Sequence, residues 1–255
     1  FTYFLKYHLE DIKKYFPAFD QGNLTISSDH NVLWSTSEYR GTTYFERLSK
    51  NGVTKELVEK IFEYHTFTSE DGTTLPYRMY VPYEYDESKE YPVLIVLHGA
   101  GERGTDNRAN LEHMVRDMFS HPNTPLAEAI VIAPQCPQAP NQWVDTPWAR
   151  GNYSVDALKM SNELNAVLEL LWEIEDEFST DDDRYYITGL SMGGHGALYL
   201  GIRHQDTFGS MGAMSGGVDI RPFPNDWGIW KRLGKQDEHP ENWEKNTVIN
   251  MTHLL

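Results

Sequence analysis

Three short apolar runs, separated by stretches long enough to hold a helix, constrain this chain more than any other feature. VLIVLH at 93–98 and AIVIAP at 129–134 are continuous rather than alternating, which is the pattern of strands covered by helices on both faces. RYYITGLS at 184–191 reads as a third such strand. Between the second and third runs, Leu164, Val167, Leu168, Leu171, Ile174 and Phe178 fall on one stripe of a helix. GGHGALYLGIRH at 193–204 reads as helical despite its glycines. Strand and helix therefore alternate, predicting an α/β fold with a mainly parallel sheet and helices on both faces. Upstream, EYHTFTS and TTLPYRMYVP flank Asp71-Gly72, the signature of a β-hairpin that opens the domain.

At 255 residues the chain suits one large domain, or one domain plus an extension. Residues 1–58 read as an N-terminal extension with no assigned chemistry: a short helix around Tyr3–Tyr15, then a polar segment from Gln21 to Gly52. Residues 59–255 form the α/β unit. The excess of 38 acidic over 22 basic residues opposes a phosphate backbone, and no Lys/Arg cluster offsets it. Sequence-independent nucleic-acid binding and attraction to anionic membrane surfaces are therefore not expected. No apolar stretch approaches the roughly 20 residues needed to span a bilayer. The single cysteine, Cys136, rules out an internal disulfide framework and a cysteine-based zinc cluster. The histidines include no H-E-x-x-H pair, and the acidic stretch from Glu173 to Asp183 lacks EF-hand spacing, so no metal is expected.

Ligands of such sheets bind beyond the carboxyl ends of the strands, which directs attention to the residue that follows each apolar run. Gly189-Leu190-Ser191-Met192-Gly193 is a G-x-S-x-G pattern at a strand-to-helix junction. A serine hydroxyl becomes a useful nucleophile when a sharp turn exposes it, and small residues two before and two after permit that turn. Ser191 is the candidate nucleophile, against the alternative of a serine that merely caps the helix. Directly after the first buried strand comes His98-Gly99-Ala100-Gly101-Glu102-Arg103-Gly104. A tetrahedral acyl intermediate needs two preorganised donors, and the backbone amides of Ala100 and Met192 are assigned to that oxyanion hole, with a shift of one position to a neighbouring glycine left open. His98 precedes the serine and reads as a residue that braces the loop rather than as a base. Gly99, Gly101 and Gly104 also spell G-x-G-x-x-G. A dinucleotide site would need a following strand ending in an acidic residue to hold the ribose, and AIVIAPQCP ends without one.

The segments LPYRMYVP, LHGAGERGTDN, APQCP, QWVDTPW and ITGLSMGGHGAL together resemble the esterase and predicted-peptidase branch of the α/β-hydrolases, close to the feruloyl and acetylxylan esterases of carbohydrate esterase family one. SMGAMSGGVDIRPFPNDW further resembles tributyrin esterase and S-formylglutathione hydrolase relatives. The likeness covers roughly residues 66–255. It implies ester hydrolysis through a Ser-His-Asp triad and an acyl-enzyme, without metal or cofactor, on a small-molecule or polysaccharide ester such as an acetyl or feruloyl ester. It also favours a secreted or periplasmic location over a cytoplasmic one, and leaves the oligomeric state open.

The resembled fold places its acid and histidine after the serine, the acid in a G-x-x-D turn and the histidine in a late loop, and neither motif occurs before Leu255. Both partners of Ser191 are therefore expected beyond Leu255. Asp219, shortly after the stretch GSMGAMSGG, is a candidate acid placed one strand early, against the alternative of a loop aspartate satisfying local donors. His195, His204, His239 and His253 each fit a structural role better than that of a base. Trp143 and Trp148, in the loop after the second buried strand, are candidates for a substrate wall or equally for core cover. The rival to an esterase is a catalytically incomplete binding or structural module on the same fold.

Overall fold

A computed structural model turns the three apolar runs into neighbouring strands of one sheet. It describes residues 55–82, 85–120, 124–139, 141–144, 160–217, 219–225, 230–245, 247 and 250; the expected helix around Tyr3–Tyr15, together with Trp148 and His253, lies outside them. Helix α1 (Lys55–Ile61) leads into β1 (Glu63–Thr68) and β2 (Thr74–Tyr80). Then come β3 (Tyr91–Leu97), α2 (Met114–Ser120), β4 (Ile130–Pro134), α3 (Asn162–Glu177), β5 (Thr180–Leu190), α4 (Met192–Arg203) and β6 (Ser210–Met214). Two short helices, α5 (Trp230–Leu233) and α6 (Pro240–Lys245), follow.

The strand order is β1-β2-β4-β3-β5-β6. The β4/β3, β3/β5 and β5/β6 pairs are parallel, whereas β1/β2 and β2/β4 are antiparallel. The parallel expectation thus holds for the strands linked through helices, and the opening hairpin adds an antiparallel edge. At the hairpin turn Gly72 takes φ +86°, and the Asp71 carboxylate accepts the Ser69 hydroxyl at 2.6 Å and the Thr73 amide at 2.9 Å.

Both faces of the sheet are covered, which is why the central runs show no alternation. Leu75, Tyr77 and Met79 of β2 join Val93, Ile95 and Leu97 of β3 and Ile130 and Ile132 of β4 in one apolar core. Leu164, Val167 and Leu171 of α3 and Ala197 and Leu200 of α4 complete it. The intervening residues Tyr80, Val96 and Val131 are buried as well. On that side Tyr80 lies 5.6 Å from the ring of Phe62, after α1, and 5.0 Å from Phe119 of α2. Each aliphatic side chain so buried contributes about 1.5–3 kcal/mol. Helix α3 starts where Ser161 caps it, its hydroxyl accepting the Leu164 amide at 3.0 Å. Helix α1 runs across the expected boundary at 58/59, and Val58 is buried.

Candidate active site

The β5–α4 junction is a strained elbow. Ser191 sits between the last residue of β5 and the first of α4 with φ 54° and ψ −112°, its side chain exposed and making no capping hydrogen bond. A non-glycine residue in that region costs on the order of 1–3 kcal/mol, a cost met by the surrounding structure. The turn is pinned on both sides, the Ser191 amide donating to the Met214 carbonyl of β6 at 2.8 Å and the Ser191 carbonyl accepting the His195 amide at 3.0 Å. The flanking glycines are dictated by space. A Cβ on Gly189 would overlap the Gly193 backbone, and one on Gly193 would overlap the carbonyls of Leu97 and His98.

That close approach brings the loop after β3 to the serine. A Cβ built on Gly99 would lie 3.7 Å from the Ser191 Cβ. Ala100, exposed, opens a 3-10 turn over Ala100–Glu102, and Met192 opens α4. The first amides of helical turns have no partner within their own turn. Neither of these two has an acceptor among the described residues.

His98 braces this loop. Its Nε2 accepts the Cys136 amide at 2.9 Å, which leaves Nδ1 carrying the proton and donating to the Gly99 carbonyl at 2.6 Å. Burial, the largest influence, pushes its pKa down to about 4, so the ring is neutral near pH 7. The rest of the loop hangs on a buried polar network. The Asn107 side chain donates to the carbonyls of His65 and Tyr77, and Gln135 holds the Asn107 amide, the Glu102 carbonyl and the Asp106 carboxylate. Arg78, fully buried, donates to the carbonyls of Phe62, Asn107 and Glu59 and so ties α1 to the same loop.

Several expected residues have other roles. Trp143 is fully buried in the core and donates its indole N–H to the His98 carbonyl at 3.0 Å, so it is core cover and not a substrate wall. Its place behind the loop follows from Gly196, where a Cβ would come within 2.7 Å of the Trp143 Cβ. Asp219 is gripped by Arg221, which donates its backbone amide at 3.0 Å and its guanidinium at 2.8 and 2.9 Å; these bonds, the side-chain one foremost, hold the carboxyl below the usual range. It is engaged as a loop aspartate. His195, in the first turn of α4, makes no side-chain hydrogen bond among the described residues, and burial lowers its pKa to about 4. His204 ends α4, and His239 lies beside Gly234. Among the described residues no imidazole is hydrogen-bonded to Ser191. Carboxylates of Asp181, Asp182 and Asp183 gather within 4.8 Å at the start of β5, the opposite end from Ser191, with Asp181 paired to Arg184.

Sequence reasoning overlooked Glu102 and His113. The Glu102 side chain is 13 % exposed, with one carboxylate oxygen 3.4 Å from His113 Nε2. For Glu102 the signal lies in GERGTDN, which sets an acid among the loop glycines; His113 has no such local signal.

Residues 69–253 match the family described as "Putative esterase". A thermostable esterase of known structure is 27 % identical with a TM-score of 0.57, the match covering 76 % of this chain and 53 % of that one. The chain thus spans about half the length of that relative. A ferulic acid esterase is 26 % identical with a TM-score of 0.50, over 74 % of this chain and 70 % of that one. Porphyromonas gingivalis dipeptidyl peptidase 4, at 18 % identity and a TM-score of 0.51, covers 76 % of this chain and 26 % of its own, and shares the fold.

Proposed function

Because the chain belongs to the Putative esterase family, we propose that it hydrolyses carboxylic esters with Ser191 as the acylated nucleophile. The observation that carries this reading is the elbow itself: a strained, exposed serine whose side chain is not used as a cap, 3.7 Å from the Gly99 Cβ position. In the reaction the Ser191 oxygen adds to the ester carbonyl while its proton passes to a base. The carbonyl oxygen, now negative, takes hydrogen bonds from the amides of Ala100 and Met192, and collapse expels the alcohol. Water repeats the sequence on the acyl-enzyme and releases the acid. Among the described residues no imidazole reaches the serine, so the base of this proposal is a group outside them. Acetyl or feruloyl esters of plant polysaccharides are the favoured substrates. They are favoured by the resemblance of the motifs and by the 26 % identical ferulic acid esterase.

Hydrolysis of p-nitrophenyl acetate by the full-length protein tests the reading. Ser191→Ala is expected to lower kcat/KM by at least about 10³-fold. Unchanged turnover would remove Ser191 from the reaction. No turnover by the unaltered protein would favour the binding-module alternative.

A further inference from the structure

Glu102 occupies a place that the reaction alone does not explain. Its backbone amide donates to the Gly99 carbonyl at 3.3 Å, and its carboxylate folds back over the same glycine. One oxygen, Oε2, is 2.9 Å from the point where a Gly99 Cβ would sit, and that point is 3.7 Å from the Ser191 Cβ. A side chain at Gly99 would displace the carboxylate from this position. The neighbouring cation does not neutralise Glu102, since the Arg103 guanidinium is spent on the carbonyls of Ala100 at 2.9 Å and Asn141 at 3.0 Å. Oε1 faces His113 at 3.4 Å, and Oε2 has no donor among the described residues.

A largely buried carboxylate whose second oxygen meets no described donor can accept hydrogen bonds from whatever enters the crevice. It is also badly placed for the oxyanion proposed next to it unless that second oxygen finds a donor. A cationic group on the ligand would compete with His113 for the carboxylate. A neutral hydroxyl can use Oε2 and leave that contact in place. The acyl part of an acetyl ester carries no donor, so for that ester the alcohol part supplies it.

We infer that Glu102 is a specificity residue that accepts hydrogen bonds from free hydroxyls on the alcohol portion of a polyhydroxy ester. The inference rests on the esterase reading and assigns the contact with the alcohol's hydroxyls in that reading to Glu102. Charge-assisted hydrogen bonds are about twice as strong as neutral ones, so the expected discrimination is about 10- to 100-fold.

The test compares the affinity of the full-length protein for methyl β-xyloside with that for its fully O-methylated ether, by calorimetric or NMR titration. The unaltered protein is expected to favour the free sugar by at least about 10-fold. Glu102→Ala should bring the two within about 2-fold, and Glu102→Gln, a neutral acceptor of the same shape, should lie between. Equal weakening of both ligands in either variant would mark Glu102 as structural and overturn the inference, as would an intact preference in Glu102→Ala or tighter binding of choline than of the xyloside. Because binding needs no turnover, an intact sugar preference without ester hydrolysis would sink the hydrolase reading and leave the Glu102 assignment standing.

Discussion

Replacing Ser191 by glycine and by alanine should reverse the usual order of stability of those two residues. At an ordinary position alanine is more stabilising than glycine by about 0.4–1 kcal/mol, because glycine loses more conformational freedom on folding. Ser191 is at φ 54° and ψ −112°, where a Cβ is strained by about 1–3 kcal/mol and glycine is not. Its side chain makes no capping bond that either substitution would forfeit. The strain relieved exceeds the entropy lost, so Ser191→Gly should be more stable than Ser191→Ala by about 1 kcal/mol. In a chain of this size that corresponds to about 2–4 °C in Tm. Urea unfolding of both variants, followed by circular dichroism, measures the difference. An alanine variant as stable as the glycine variant, or more so, would show that the elbow carries no strain and refute the reasoning.

Two further substitutions probe the surroundings of the elbow. Gly193→Ala would drive a methyl into the Leu97 and His98 carbonyls and should cost about 3 kcal/mol or more, or prevent folding. Gly101→Ala, where a Cβ has no neighbour within 4 Å, should change stability by less than about 0.5 kcal/mol, and equal costs in the two urea midpoints would discredit the packing of α4 against β3. His98 is neutral when folded, with its pKa lowered to about 4, whereas the unfolded chain takes up its proton below about pH 6.5. Its contribution is therefore full above pH 6.5 and is lost as the pH falls toward 4, to a limit of about 3 kcal/mol. His195, lowered in the same way, acts in the same direction. His98→Gln should flatten the fall in urea midpoint between pH 7 and 4.5, and parallel profiles would show that burial of His98 does not drive it.

Legibility followed the range of the interaction. The elbow at Ser191 and the loop at 98–104 were readable because strand period, glycine spacing and the following helix are local signals, and the hairpin at Asp71-Gly72 likewise. The sequence does not decide between core and crevice for Trp143, because its orientation depends on Gly196, more than 50 residues away. Glu102 meets His113 and Gly99 only after a 3-10 turn folds the loop back on itself, a geometry no periodicity announces. Arg78 is one polar residue within TTLPYRMYVP, and its burial depends on the carbonyls of Glu59 and Phe62 at the end of α1 and of Asn107 in a distant loop. Asp219 is the instructive case. Arg221, two residues on, was in plain view, and a D-x-R spacing in a turn already offers the aspartate a guanidinium and a backbone donor.

Covalent labelling probes the nucleophile most directly. The full-length protein treated with a fluorophosphonate, then digested and analysed by mass spectrometry, should carry one phosphonyl group on the peptide containing Ser191. The adduct should be absent from Ser191→Ala. Modification of a different serine, or undiminished labelling of the alanine variant, would contradict the account.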